Sequence, residues 1–416
     1  MAPILLRRSL AACTSFRRAF CAAAGPILRP SPPLPDHVLP HSVHGILNNY
    51  CDYSPPLLFA RPSGHRISMP DDADSVYDHC NGLVLFHGKG GDDFVLNPAT
   101  RRRALLPLPS DKHAIWEYAG AYLAFDPSIS LHYKVFLVPD VDVEHCPNPD
   151  AEWPPAIYKL PVFSSMSGCW EETAFLRQGG PVGAVAEMQS GSREPVYAGP
   201  QRRYAEYWRG ALYVHCRGAY VMRLSLSEDK YKIIKTPTNI EENKHAKPYL
   251  GRSVKGVYFA ALKHHDLRVW TLDDSGEQMH WVLKYHINLE ALCHQVCKLT
   301  QWECPWAILY DRSIEEYDDV GSEEWNSDND DVLDIKENNS ARSYGRLKFI
   351  GFHPYKEIVF LANGFDMVTY HLSSSKAQYL GNAFPDDYYG SQLGAVVEES
   401  FIYTPCFVDS LPKMDL

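Results

Sequence analysis

The sequence predicts an all-β fold, a propeller of about six blades, with a short helical segment at its N-terminus. Three observations carry this. Aromatic content is 12%, with 25 Tyr and 31 Pro, a composition that suits short strands and frequent turns better than long helices. Four stretches repeat one plan of apolar strand, tight turn, alternating strand, polar turn and further strand. Those stretches recur at spacings that a unit of about 46 residues divides into about six, close to the four-strand blade repeat. A pair of packed β-sandwiches is the alternative architecture.

The repeats begin at Asn81 ("NGLVLFHGKGGDDFVLNPATRRRALLPLP"), Arg209 ("RGALYVHCRGAYVMRLSLSEDKYKIIKTP"), Lys255 ("KGVYFAALKHHDLRVWTLDDSGEQMHWVLKY") and Lys356 ("KEIVFLANGFDMVTYHLSSSKAQYLG"). In Ala219 to Leu226, Tyr220, Met222, Leu224 and Leu226 oppose Val221, Arg223 and Ser225. In Leu267 to Leu272, Leu267, Val269 and Thr271 oppose Arg268, Trp270 and Leu272. Period two belongs to strands. The turns "HGKGGD", "LSED", "DDSGEQ" and "ANGF" hold the Gly, Asn and Asp that tight reversals need. Between the first two repeats, "YLAFDP", "YKVFLVP", "AIYKLPVFSS" and "CWEETAF" read as two successive hairpins from Tyr122 to Phe175. Boundaries near Pro181 and Gln301 are indistinct.

The chain has 416 residues, 45% of them apolar and 22% charged, which fits a globular protein larger than one ordinary core. No apolar run is long enough for a membrane helix, so no membrane partner is expected. Eleven cysteines, an odd number without a regular framework, suit buried thiols in a reducing compartment. The net charge of −11 is local: Glu315 to Glu337 holds eleven acids and one Lys. That composition predicts a solvated, mobile insertion, and the near-neutral remainder offers no basic surface for nucleic acid. Asp328, Asp330 and Asp331 begin like a calcium loop, but the Gly and Glu that its later positions require are absent.

Chemistry-bearing motifs are weak. "HGKGG" (His87 to Gly91) lacks the ending of a phosphate loop and reads as a hairpin tip. His264-His265-Asp266 reads as a turn between strands. Cys293, His294, Cys297 and Cys304 match no zinc spacing, and Cys293 and Cys297 suit the buried face of a helical turn. No nucleophile elbow or HExxH occurs. No catalytic residue, metal or cofactor is therefore expected.

"CNGLVLFHG…DFVLNPATRRRALLPLP" resembles the start of the F-box-associated domain of plant F-box proteins. "AYLAFDPSISLHYKVFLVP", "YLGRSVKGVYFAALKHHDLRVWTLDDSGEQMHWVLKY" and "LKFIGFHPYKEIVFLANGFDMVTYHLS" resemble later parts of its grass-type branch. The resemblance runs from about His41 to Phe407 and rests on the shared order of these segments. It implies a kelch-like propeller that binds a target protein for a cullin-RING ubiquitin ligase, with an N-terminal F-box docking a Skp-type adaptor. The target's identity is not legible.

The opening "LLRRSLAACTSFRRAF" (Leu5 to Phe20) resembles only the second half of an F-box: Arg8-Ser9-Leu10 fits its middle and Phe20 replaces the usual Trp. An F-box shortened at its N-terminus is expected, its adaptor contacts supplied by Leu5, Leu6, Leu10, Phe16 and Phe20. "LPDHVL" (Leu34 to Leu39) mimics an F-box start without its continuation. Residues 1–35 also hold five Arg and no acid, the composition of a mitochondrial presequence, and "GPILRPSPPLPD" could equally end an inert tail. The expected organisation is thus 1–24 F-box-like, 25–79 lead-in and 80–410 propeller with the 315–337 insertion. The expected location is cytoplasmic or nuclear, with mitochondria as the alternative.

Overall fold

A computed structural model describes residues 42–51, 53–61, 67, 69–109, 120–139, 148–190, 204–216, 220–237, 247–276, 278–297, 305–309, 325–327, 332–333, 345–386, 397–408 and 411. Consecutive strands hydrogen-bond to their chain neighbours because two-residue turns leave antiparallel pairing as the nearest way to satisfy the backbone. Blade II comprises β3 (Ala73–Cys80), β4 (Leu83–Gly88), β5 (Asp93–Asn97) and β6 (Arg102–Leu105). Blade III comprises β7 (Gly120–Ala124), β8 (Lys134–Val138), β10 (Ile157–Ser164) and β11 (Cys169–Gln178), with the two-residue β9 (Glu152–Trp153) between its second and third strands. The two hairpins expected from Tyr122 to Phe175 are this blade.

A short ribbon, β12 (Gly183–Ala184) on β9, and helix α1 (Val185–Ser190) lead to blade IV. Blade IV comprises β13 (Ala205–Trp208), β14 (Ala211–Cys216), β15 (Tyr220–Ser225) and β16 (Lys230–Lys235). Blade V comprises β17 (Lys247–Ser253), β18 (Gly256–Lys263), β19 (Asp266–Asp273) and β20 (His280–Asn288). After helix α2 (Glu290–Val296) come two strands that serve other blades, β21 (Ala307–Leu309) and β22 (Val332–Leu333). Blade VI is β23 (Leu347–Phe352), β24 (Ile358–Asn363), β25 (Asp366–His371) and β26 (Ala377–Asn382), with β22 added outside β26. Blade I joins both ends of the ring: β27 (Val397–Tyr403) pairs with β1 (Gly45–Tyr50), β1 with β2 (Tyr53–Ala60), and β2 with β21.

The innermost strands touch in a closed circuit, β3–β7–β13–β17–β23–β27 and back to β3. This is a six-bladed propeller. The starting points of the four repeats fall on one feature, the turn from innermost to second strand in blades II, IV, V and VI. The lead-in expected over 25–79 ends sooner than drawn, because β1, β2 and β3 within it are blade strands. Their polar residues hid them: Asn48 and Asn49 are buried in β1, where Asn49 exchanges two 2.9 Å hydrogen bonds with the Val76 backbone of blade II.

The core sits between blades, and each blade strand feeds two interfaces. In β18, Tyr258, Ala260 and Leu262 pack toward blade VI while Val257, Phe259 and Ala261 pack toward blade IV. In β24, Val359 and Leu361 face blade V and Phe360 and Ala362 face blade I. Second strands buried on both faces therefore read as unbroken apolar runs, "GVYFAAL" and "IVFLA". Neighbouring blades III and IV go further: β11 and β16 pair in parallel over Leu176–Gln178 and Lys230–Lys232, making one eight-stranded sheet.

The acidic insertion differs from the expectation in its described residues. Trp325 packs edge-on against the buried Trp306 at 5.4 Å and lies 5.9 Å from Phe360, ring centre to centre. Ser327 and Leu333 are buried, and β22 pairs with β26. The apolar residues scattered among the acids anchor the segment to blades I and VI. Asp328, Asp330 and Asp331 lie outside the described residues.

Candidate functional site: the ring axis and its two ends

The innermost strands all run the same way, so the ring has two unlike ends. At one, the first and second strands of blades II, IV and V are joined by two residues each, Asn81-Gly82, Arg209-Gly210 and Val254-Lys255. Asn81 and Gly82 both have positive φ, 46° and 88°, the conformation that an Asn-Gly turn adopts at least cost. At the other end five of the six inter-blade connections start, after β6, β11, β16, β20 and β26, whereas the sixth, from β2 to β3, leaves from the tight-turn end. Long connections clustered at one end of a rigid ring are the usual seat of binding function.

The axis itself is polar and crowded. Arg252, near the end of β17, donates from Nη2 to Asn81 Oδ1 at 2.7 Å and places Nε 3.3 Å from Glu206 Oε1 on β13. Asn81 in turn donates to the Phe125 carbonyl at 2.6 Å, and Asp78 accepts the Leu123 amide at 2.7 Å. Four blades are thereby tied through one guanidinium and its partners. Elsewhere around the circuit, Ser253 donates to the Lys356 carbonyl at 2.7 Å, and Lys348 donates to the Val397 and Glu398 carbonyls at 2.6 Å each.

Burial sets the protonation of the axial groups. It pushes the Glu206 carboxyl up to about 7, against the opposing pull of Arg252. It lowers His79 to about 4, so the imidazole is neutral at neutral pH. The adjacent Cys80 thiol is held protonated by burial and donates to the Phe125 carbonyl at 3.3 Å. A neutral His beside an inert thiol is no nucleophilic pair. The arrangement is a latch across the ring axis.

A second polar cluster seals blades V and VI. Glu357 accepts from Lys284 and, at 2.6 Å, from the Tyr285 hydroxyl, with the Tyr258 hydroxyl at 3.4 Å. The motifs singled out in the sequence fall on turns. "HGKGG" is the β4–β5 hairpin, closed by the Gly88 amide on the Asp92 carbonyl and braced by a 2.7 Å His87–Asp93 pair. His264 and His265 form the β18–β19 turn, with His264 at φ 57°. On α2, Cys293 is buried as expected, whereas Cys297 follows the last turn and is exposed. Among the described residues no three His, Cys, Asp or Glu side chains are grouped to hold a metal. Cys304 and the adaptor set Leu5, Leu6, Leu10, Phe16 and Phe20 lie outside the described residues.

Sequence reading missed the axial latch. Its only trace was a lone Arg in the apolar strand "YLGRSV". Nothing local distinguishes a charge aimed across a ring from one aimed at solvent.

No family model matches the chain. An F-box protein of Arabidopsis thaliana is 24% identical to it over 213 residues, covering 48% of this chain and 43% of that protein; the match thus spans less than half of the relative's length. Among solved structures, one of YCF48 bound to D1 peptide aligns with a TM-score of 0.35 and 9% identity, covering 85% of each chain. A chain of the mitotic checkpoint complex aligns with a TM-score of 0.35 and 10% identity, covering 88% of this chain and 89% of its own. The chain is thus similar, over about half its length, to one curated F-box protein.

Proposed function

We propose that this protein is a non-catalytic binding receptor of the F-box type, whose propeller holds a target protein for a cullin-RING ubiquitin ligase. The observation that carries the reading is the ring's asymmetry, with two-residue turns in blades II, IV and V at one end and five of the six inter-blade connections starting at the other. The target is held on the connection end. Similarity to an F-box protein supports the ligase context. The buried, latched axis suits a rigid platform and leaves the variable loops to make contacts.

Docking to a Skp-type adaptor falls to Leu5, Leu6, Leu10, Phe16 and Phe20. The decisive experiment measures Skp-type adaptor binding by this chain and by a variant with Leu6, Leu10 and Phe20 replaced by Asp. Binding by the chain and its loss in the variant support the reading; no binding, or equal binding by both, refutes it. The protein acts in the cytoplasm or nucleus. Import into mitochondria with loss of about 25 N-terminal residues would instead assign that segment to targeting.

A further inference from the structure

Two thiols converge on one glycine beside blades V and VI. Helix α2 follows β20 directly, and the Cys297 amide donates to the Cys293 carbonyl at 3.2 Å, so the two cysteines lie one turn apart on one face. A side chain added at Gly345, just ahead of β23, would place its Cβ 2.9 Å from Cys293 Sγ and 2.9 Å from Cys297 Sγ. The sulfurs are therefore separated by no more than twice that distance. The same position is 3.0 Å from Asn363 Oδ1, and Asn363 Nδ2 donates to Cys297 Sγ at 3.2 Å.

The two thiols differ in access. Cys293 is fully buried with Leu292 and Val296 in the core between blades V and VI, whereas Cys297 is exposed. Their point of convergence lies one bond length from the Gly345 Cα, which leaves no room for a metal ion. What the arrangement permits is a bond between the sulfurs. Cα atoms four residues apart in a helix lie about 6 Å from each other, inside the span that a disulfide bridges. Their Cβ atoms, about 5–6 Å apart, must close by roughly 1–2 Å. Cys297 follows the last residue of α2, so this tightening is confined to the helix end.

We propose that Cys297 is an oxidation site for hydrogen peroxide and that Cys293 captures the oxidised sulfur, closing a disulfide at the end of α2. The Cys297 sulfur attacks one peroxide oxygen. The S–O bond forms, the O–O bond breaks, and the departing hydroxide takes the thiol proton to leave as water. The Cys293 sulfur then attacks the sulfenic sulfur; the S–S bond forms, the S–O bond breaks, and the Cys293 proton leaves with the hydroxide as a second water. Two thiols are oxidised and one peroxide is reduced. Burial of Cys293 sets the order, since Cys297 is the thiol that meets the oxidant. A bridge that needs its backbone drawn in is strained and readily reduced, so the change reverses. It restrains the start of the connection after β20, and it stands whether or not the propeller serves a ligase.

The test treats the full chain with hydrogen peroxide, blocks the remaining thiols with iodoacetamide in denaturant and digests with trypsin. Cleavage after Lys284 and Lys298 yields one peptide, Tyr285–Lys298, that holds Cys293 and Cys297 and no other cysteine. The expected result is a peptide lacking two hydrogens and both alkyl groups, which dithiothreitol returns to two alkylatable thiols. In Cys293→Ser the oxidation stops at a Cys297 sulfenic acid, trapped by dimedone. Gly345→Ala sets a methyl group against both sulfurs and slows closure about tenfold. Two alkylated thiols after peroxide, a sulfenic acid that persists at Cys297 in the wild type, or a bridge from Cys297 to Cys304 or any other thiol overturns the proposal. Closure in Gly345→Ala at the wild-type rate overturns it too. Should Gly345→Ala not fold, Cys293→Ser decides, since absence of dimedone label on its Cys297 is equally fatal.

Discussion

Arg252 and Asn81 stand in blades on opposite sides of the ring, 171 residues apart in sequence, with 2.7 Å between Nη2 and Oδ1. The same guanidinium faces Glu206, and both members of that pair are only about one-sixth exposed, at 15% and 16%. Removing the cation leaves the Glu206 carboxyl buried without its charge partner and the Asn81 amide oxygen without its donor. Arg252→Ala should therefore cost about 3 kcal/mol in denaturant unfolding. The double variant with Glu206→Gln should lose less than the two single losses combined, the mark of direct coupling. Additive losses would show that the pair does not interact.

Two axial groups give the stability opposing pH slopes. Glu206 titrates near 7 when folded, above the ordinary carboxylate value, so the folded state holds its proton more tightly. Stability from this group is present at low pH and lost as pH rises from about 4.5 to 7. His79 titrates near 4 when folded, so the unfolded chain takes up the proton first. Its contribution grows as pH rises from about 4 to 6.5. Glu206→Gln should expose the rising slope and His79→Gln the falling one, each up to ~3 kcal/mol across its window. Unfolding titrations of both variants from pH 4 to 8 check the signs.

Gly82 combines a φ of +88° with a neighbour that leaves no room. A methyl group there would lie 2.4 Å from the Cys406 Cβ and 2.5 Å from its amide nitrogen. Gly364, at φ +63° in the β24–β25 turn, opens on free space. Gly364→Ala should cost about 1 kcal/mol, the left-handed penalty alone. Gly82→Ala should cost at least ~2 kcal/mol more, since backbone must move. Equal melting temperatures for the two variants would contradict this packing.

The insertion's anchors should register in stability. Leu333 is 6% exposed between β26 and its neighbours, and Leu333→Ala should cost ~2–3 kcal/mol. A freely solvated loop would show no change in thermal unfolding.

Blade strands were legible wherever both faces are apolar or alternate, as in β18 and β15. β1 was not, because its two buried asparagines find their partners, Val76 for Asn49 and Ser400 for the Asn48 side-chain oxygen, far away in the sequence. The out-of-order strands β21 and β22 were hidden for a related reason. Each is two or three residues long and pairs out of chain order on the outer edge of a blade, β21 on β2 and β22 on β26. The candidate interaction end could be anticipated from turn lengths. The axial latch could not, since only ring closure brings Arg252 to Asn81.

Ring closure also orders events during synthesis. β27 supplies the innermost strand of blade I, so β1 and β2 must wait for residues 397–403 before that sheet has its inner edge. Asn48 meets Ser400 across 352 residues, a late and entropically demanding contact. Until β27 has been made, β1 has no inner partner and blade I leaves open apolar flanks facing blades II and VI. A polypeptide cut short before residue 397 has nearly every blade built and no way to shut, and is a substrate for chaperones and proteases rather than a folded ring.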